Sequence, residues 1–420
     1  MSNINKILDP NSRMVSGPLN VVRLEGNFYG IKKVLYLFMD YHADVSDQTQ
    51  CENIFSEDVQ KYFAKTFYKL NDSNKIYDFF LEVFPTEIAQ DIYSDDVPEI
   101  DHKEMYIEEV VKLFKKLFRY DPKKNRVLMN DITKNIRLHY IDIRDYYKNN
   151  VHNRTADMNI IARNFMVKGN IKVSQLNKII KLMKIIRNHL EEIVEILEYS
   201  PKNNKSQRSK IIKTRDYDDL DIQTIEYLAR KIKSTYKYPD VKKIMNMLLR
   251  QSIDNFKSTI KNIDDSIKIF TNYAKQISES TDKLVKDPNT SYVYVYGLSP
   301  YTIRNMIVDI ANRVDKIMDE QLIEFFARFT DIFFLRRFLD KDYITNGIIY
   351  TGALHSNTYI NVLVKYFDFK VTHFSYSKIS NPQLLTSEIK KRSLMEIQEL
   401  ILPNSFGQCS DMNSFPKEFQ

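Results

Sequence analysis

The sequence predicts an α/β fold, a mixed or parallel sheet core flanked by helices and interrupted by a large all-helical insertion. Three observations predict it. Short apolar runs rich in β-formers end at polar residues towards both ends of the chain. Of the eight glycines, Gly17, Gly26 and Gly30 lie near the start and Gly297, Gly347, Gly352 and Gly407 near the end, with only Gly169 between. Glycine marks turns and strand ends, so the ends look α/β and the middle helical. In that middle, apolar residues recur at alternating steps of three and four, the spacing of a helix-packing seam. The expected divisions are a first part of the core over 18–150, the helical insertion (a long hairpin or bundle) over 151–290, a second part of the core over 291–380, and a tail over 381–420.

The elements follow in order. Leu19 to Leu24 reads as a strand, broken by Gly26 and Gly30. Lys33 to Met39 is a stronger one, an apolar run suited to a sheet covered on both faces. Asp58 to Lys69 has the pattern of an amphipathic helix, and Lys75 to Phe84 that of a third strand, stopped by Pro85. Glu104 to Phe118 presents Ile107, Val110, Val111, Phe114, Leu117 and Phe118 at helical spacing. Asn135 to Tyr146 reads as a fourth strand. A first seam runs through Leu176, Ile179, Met183, Ile186, Leu190, Ile193 and Leu197, with Ser174 as N-cap and Pro201 as stop. Residues 199–221 are polar and read as an exposed connection. A second seam joins Ile253, Phe256, Ile260, Ile263, Ile267, Phe270, Ala274 and Ile277, a helix on the order of 40 Å long. Sheet character returns at Ser291 to Tyr296. Helices over Pro300 to Met318 and Glu320 to Leu339 follow, then the strand Ile348 to Thr351, a helix over Ser356 to Tyr366 and a last strand over Phe369 to Tyr376. The end, SFGQCSDMNSFPKEFQ, has no periodicity and reads as a candidate for disorder.

Composition narrows the function classes. The 420 residues carry 62 basic and 55 acidic side chains, a net charge of +7. That permits an anionic partner without demanding one. The two cysteines, Cys51 and Cys409, are far apart and have no CxxC neighbour. Their number fits a reducing compartment and argues against a disulfide scaffold or a Cys-rich zinc site. The start has no apolar stretch of a signal peptide, and no run approaches the roughly 20 apolar residues of a membrane span. The expectation is a soluble intracellular protein. GxGxxG after a strand, the Walker A motif, HExxH and GxSxG are all absent, against a dinucleotide enzyme, a P-loop NTPase, a zincin and a serine hydrolase.

The residues that would carry chemistry stand at strand ends: Asp40, His42 and Asp44; Glu82; Asp142, Arg144 and Asp145; and His355. Strand ends on one edge of a parallel sheet converge even when distant in sequence. Two imidazoles with one or two carboxylates suit a divalent ion with an open position, which acidifies a water for hydrolysis. Without metal, a histidine beside a carboxylate serves as a general base. Each has a plainer reading. A strand-end histidine is often a hydrogen-bonded structural residue, Glu82 an ion-pair partner, and the run from Asp142 to Asp145 a salt-bridge network. Arg304, Arg336 and Arg337 sit on helices as solvated charges or anion contacts. Cys51 has no activating neighbour in the sequence. The basic connection from Lys202 to Lys213 reads as a solvated loop or a contact for nucleic acid.

The early histidine in LFMDYH, the glutamate ending YDFFLE and the histidine of YTGALH together resemble the TraB/TIKI and ChaN/erythromycin-esterase-like group. The resemblance covers roughly 20–150 and 290–376. It implies an α/β core, often with a helical insertion, and hydrolase activity; the TIKI branch is a metal-dependent protease with His and Glu at its site. By the resemblance His42, Glu82 and His355 become metal ligands or acid/base groups, with Asp40 orienting His42. Arg304 in YTIRNM is similar to the group's arginine-asparagine helix motif. Arg144 and Arg336 join Arg304 as candidate substrate contacts. The chain departs from the group at the first motif, where Met39-Asp40-Tyr41-His42 replaces a glycine-containing GxxH. The Lys-, Asn-, Ile- and Tyr-rich composition also resembles uncharacterised proteins of large DNA viruses, which would place the chain in host cytoplasm or virion. The reading is a metal-assisted hydrolase of unknown substrate. Its alternative is a non-catalytic virion or interaction protein that binds a protein partner through the helical insertion, with nucleic acid a weaker choice.

Overall fold

A computed structural model describes residues 7–42, 51–83, 105–121, 126–128, 133–143, 151–198, 229, 232–233, 235–281, 298–317, 322, 324–405 and 407–420. The chain forms two units. One comprises residues 1–142, 236–244 and 333–420, the other 143–235 and 245–332. In chain order the first unit opens with β1 (Met14–Ser16), β2 (Asn20–Phe28), β3 (Ile31–Asp40), β4 (Glu57–Asp58), α1 (Val59–Leu70), β5 (Tyr77–Leu81), α2 (Tyr106–Leu117), β6 (Arg119–Asp121), β7 (Arg126–Leu128) and β8 (Ile136–Tyr140). The helices α3 (Asn153–Lys168), α4 (Val173–Glu198), α5 (Pro239–Thr281), α6 (Pro300–Asp315) and α7 (Glu324–Asp340) follow, and β9 (Asn346–Gly352), α8 (Ala353–Tyr366), β10 (Lys370–Phe374), α9 (Pro382–Lys391), α10 (Leu394–Ile401) and β11 (Cys409–Asp411) end the chain.

The main sheet has the order β10-β2-β3-β9-β5-β8. β3, β9, β5 and β8 run parallel to one another, while β2 is antiparallel to β3 and β10 antiparallel to β2. The apolar run of β3 is buried from Lys33 to Asp40, as a strand covered on both faces must be. Because side chains alternate, Tyr36, Phe38, Phe79 and Tyr350 face one side, where they pack with Phe63 and Phe67 of α1 and Phe114 of α2. Ring centroids there lie 4.9 Å apart for Phe38–Phe63 and 5.1 Å for Phe63–Phe79. Phe80 faces the other side and meets Phe334 of α7 at 4.9 Å, which meets Tyr359 of α8 at 4.5 Å. Thus α1 connects β3 to β5 over one face, and α8 connects β9 back to β10 over the other. With β9 paired between β3 and β5, the chain leaves neighbouring strand ends in opposite directions. This is the topological switch point at which open α/β sheets carry their sites.

The second unit's described elements are helical. The α4 seam is buried at every position from Leu176 to Leu197. In α5, which runs 43 residues and so about 65 Å, the buried seam differs from the expected one. Ser252, Thr259 and Ser266 are buried alongside Phe256, Ile263 and Phe270, whereas Ile260 and Ile267 are only partly covered. The three hydroxyls are satisfied by the carbonyls four residues back, Leu248, Asn255 and Asn262. Arg187 pairs with Asp264 and Glu198 with Lys257, so α4 and α5 are antiparallel. Among the described residues no helix is long and apolar enough to cross a membrane.

Several expectations are corrected. The helix over 153–168 carries apolar residues all round, with Met158, Ile161 and Phe165 buried and Ile160, Met166 and Val167 exposed, and this hid its period. The tail is folded. It forms α9 and α10, β11 pairs with β1, and Met412, Phe415 and Phe419 join the first unit's core. The cysteines are not reduced thiols: Cys51 and Cys409 form a disulfide, which also removes Cys51 as a nucleophile. They lie 358 positions apart, and β11 brings them together by returning beside the first strand of the chain. The strand expected at 291–296 and the basic connection 202–213 lie outside the described residues.

Candidate functional site

Three of the expected residues meet at the carboxyl edge of the sheet. Asp40 is the last residue of β3 and is paired in register with Gly352, the last of β9. Glu82 follows β5 directly, and its amide donates to the Tyr350 carbonyl at 3.4 Å. His355 stands in the first turn of α8, which begins at Ala353, earlier than the sequence suggested. The side chains converge on Glu82. His355 Nε2 lies 3.1 Å from Glu82 Oε1, and His42 Nε2 lies 3.7 Å from Glu82 Oε2. Glu82 Oε2 also accepts hydrogen bonds from Thr351 Oγ1 at 2.7 Å and the Gly352 amide at 2.9 Å.

Asp40 holds the other side of His42. Its Oδ2 lies 2.8 Å from His42 Nδ1 and accepts the His42 amide at 3.1 Å; its Oδ1 accepts from Tyr350 Oη at 3.1 Å and from Gln408 Nε2 at 2.9 Å. Four donors around a fully buried carboxylate satisfy it. They also hold His42 at φ 56°, a left-handed conformation that a histidine adopts only with support. Asp40, Glu82 and His355 are nearly closed to solvent, while the His42 side chain is 37% exposed and forms the open side of the cluster.

Burial alone would push the His42 imidazole down. Hydrogen bonds and charge from Asp40 and Glu82 outweigh it and carry the pKa up to about 10. A folded value above the ordinary 6.5 means that the pairing stabilises fully below about pH 6.5 and is lost as pH rises towards 10. The half-open ring is screened by solvent, so the contribution is about 1–2 kcal/mol. Relative to His42→Gln, wild type is expected to lose that amount between pH 6.5 and 10 in urea denaturation. Parallel stability curves for the two proteins would show that the pairing contributes nothing.

Gly352 makes room for the ring. A Cβ there would lie 2.8 Å from His42 Nε2 and 3.6 Å from Glu82 Oε2. Its φ of −54° is open to alanine, and the crowded atom is the end of a partly exposed side chain. Gly352→Ala is therefore expected to change stability by less than about 1 kcal/mol while turning His42 away from Glu82. An NMR titration of His42 checks this: its pKa should fall towards the ordinary value, and an unchanged titration contradicts the placement.

The remaining expected residues do not join this cluster. The Arg336 guanidinium lies over the Tyr236 ring, 5.0 Å from its centroid. Arg304 is exposed on α6 in the second unit. Asp142 is buried just beyond β8, whereas Asp44, Arg144 and Asp145 lie outside the described residues. The first unit does contain an ion network, but built on Asp78 near the start of β5. Asp78 accepts both Arg137 Nε at 2.8 Å and Nη2 at 2.6 Å, and lies 2.6 Å from His139 Nε2. Arg337 Nη2 stands 3.0 Å from the other nitrogen of His139. Residues absent from the sequence reading are Thr351, Tyr350 and Gln408. The first two sit in the apolar run of β9, and their hydroxyls gave no periodic signal.

Two imidazoles and a carboxylate are donors a divalent ion accepts. In this arrangement Glu82 is engaged by His355, Thr351 and Gly352, and among the described residues no group of three or more His, Cys, Asp or Glu side chains is arranged to hold a metal ion. What the arrangement offers directly is acid–base chemistry: an imidazolium at the mouth, oriented by Asp40, beside a buried carboxylate that is itself oriented by His355.

The chain belongs to a family of unknown function (DUF5847), whose model matches residues 13–420. It is similar to uncharacterized protein R706 of Acanthamoeba polyphaga mimivirus, 99% identical over 420 residues and covering 100% of both chains. It is also similar to uncharacterized proteins R161 and R160 of the same virus. R161 is 36% identical over 439 residues, covering 98% of this chain and 99% of the relative; R160 is 38% identical over 445 residues, covering 99% of each. The likeness to proteins of large DNA viruses is therefore established, while the likeness to the TraB/TIKI and ChaN group stays one of short motifs. No solved structure matches the chain significantly.

Proposed function

We propose that the first unit is a hydrolase whose working groups are Glu82, His42, His355 and Asp40. The observation that carries this reading is the convergence of His42 and His355 on Glu82 at the switch-point edge of the sheet, 3.7 and 3.1 Å from its two oxygens. The longer separation exceeds a hydrogen bond yet lets one water contact both His42 Nε2 and Glu82 Oε2. Glu82 then accepts a proton from that water as it attacks. The His42 imidazolium, held by Asp40, faces the open side, where it stabilises the developing negative charge and returns a proton to the leaving group. His355 fixes the carboxylate. A divalent ion, which the motif resemblance implies, would replace the His42 proton at this place; the steps above use only the chain's own groups.

The test sets purified full-length protein against chromogenic carboxylic ester, phosphodiester and peptide substrates, with and without chelator and with added zinc, manganese or magnesium. The reading expects turnover of one class by wild type and its loss in Glu82→Gln. Loss on chelation would assign a role to an ion. Wild type and Glu82→Gln that are equally inert on all three classes would refute it. That last outcome favours the second reading, a non-catalytic protein that binds a partner through its helical part. One feature supports the second reading: Ile160, Met166 and Val167 of α3 are 58%, 51% and 84% exposed.

A further inference from the structure

We infer that the dipeptide Gln408–Cys409 is a redox-sensitive clamp on the candidate site, with Gln408 as a positioning residue for Asp40 and His42. Two adjacent residues fasten both ends of one loop. Gln408 Nε2 donates to Asp40 Oδ1 at 2.9 Å and also to the Gly17 carbonyl, and its Oε1 accepts the Tyr41 amide at 3.2 Å. Its backbone carbonyl accepts the Gly17 amide at 2.9 Å. The side chain is fully buried, and each of its polar atoms has a partner. The next residue, Cys409, is bonded to Cys51, nine positions beyond His42 in the chain. The loop that leaves β3 therefore starts under the Gln408 amide and ends at the Cys409 sulfur.

The mechanical consequence falls on His42. Its ring is aimed by Asp40, and its backbone holds a left-handed φ of 56°. Such a conformation persists only while its surroundings over-determine it. Gln408 supplies one of the two donors to Asp40 Oδ1 and fixes the peptide between Asp40 and His42. The β11 strand that carries this segment is only three residues long, paired with an equally short β1. A ladder of that length holds weakly by itself, and the disulfide is the covalent restraint on it. Both sulfur-bearing residues are partly exposed, so a small thiol reaches them. In the exchange, a dithiol gives two electrons and two protons to the Cys51–Cys409 bond; the S–S bond breaks, two cysteine thiols form, and the dithiol becomes a cyclic disulfide.

The consequence for turnover rests on the hydrolytic reading, but the test does not need turnover. The proton between His42 Nδ1 and Asp40 is followed by NMR in the full-length chain, assigned by its loss in His42→Gln, with and without dithiothreitol. The expected result is a protected signal in the oxidised protein whose exchange with water becomes at least about tenfold faster on reduction and recovers on reoxidation. Gln408→Leu should show the fast exchange in both redox states. Should that variant fail to fold, Gln408→Glu serves, keeping the shape while removing the donor. A signal equally protected in oxidised and reduced protein overturns the clamp, as does one unaffected by the Gln408 variants. So do two free thiols titrated in the denatured, unreduced chain. A clamp that passes while every hydrolysis assay fails would separate the inference from the proposed activity.

Discussion

Replacing Glu82 by Gln is expected to lower turnover by about 10²–10⁴-fold, the range of a lost general base, while leaving the protein folded. The isosteric amide fits the existing contacts. Its oxygen takes the place of Oε2 and accepts from Thr351 Oγ1 and the Gly352 amide, and its NH2 faces His355 Nε2, which becomes an acceptor when the imidazole proton moves to Nδ1. With three contacts kept and one polarity reversed, the stability loss should stay near 1 kcal/mol. Glu82→Ala is the poorer experiment. It strands a hydroxyl, an amide and an imidazole in a buried place, and lost activity could not then be told from lost structure. A second readout is independent of any substrate. Glu82 is one of two carboxylates that hold the His42 pKa near 10, so Glu82→Gln should move it towards the ordinary 6.5. A titration that does not move would break the link between Glu82 and His42, and the acid–base reading with it.

The strand ends were legible because an apolar run that stops at a polar residue has few structural explanations. In a parallel sheet it also has one edge to stop at. That logic placed Asp40, Glu82 and His355 without any knowledge of strand order. It could not say that β9 lies between β3 and β5, the pairing that brings residues 82 and 355 within a hydrogen bond of each other. It also missed whatever acts through the backbone or from an aperiodic segment. Gln408 is one amide in a run with neither a twofold nor a 3.6-residue pattern, and its role depends on β11 pairing with a strand nearly 400 positions earlier. The disulfide was missed for the same reason: separation along the chain says nothing about separation in space when the two termini share a sheet. In α5 the error was subtler. Hydrophobicity alone placed Ile260 and Ile267 on the seam, but hydroxyls that bond their own helix cost little to bury, and the seam runs one residue earlier at Thr259 and Ser266.

Lys33 carries the largest stability prediction in the first unit. It is fully buried, and its ammonium donates to three backbone carbonyls: Phe338 at 2.9 Å, Lys341 at 2.8 Å and Ile344 at 2.6 Å. Together these carbonyls close the end of α7 and the turn into β9, so one side chain of β3 caps a helix C-terminus where a cation is favoured. Two effects oppose each other in Lys33→Met. Burial lowers the pKa to about 8, against partial compensation from Asp342, Asp78 and Asp340, so removing the cation recovers about 3 kcal/mol of desolvation. Against this, three carbonyls lose their donor in a place without solvent, at about 1–3 kcal/mol each. The second effect wins, and a net loss of about 3 kcal/mol is expected, read as faster native-state amide exchange across β3 and β9. The pH dependence has a definite sign. The folded pKa lies below the unfolded 10.5, so the unfolded chain binds the extra proton between pH 8 and 10.5, and wild type should gain stability relative to Lys33→Met as pH rises through that window. A variant as stable as wild type at pH 7, or one whose difference from wild type does not vary between pH 8 and 10.5, would mean that the ammonium is not what closes this turn.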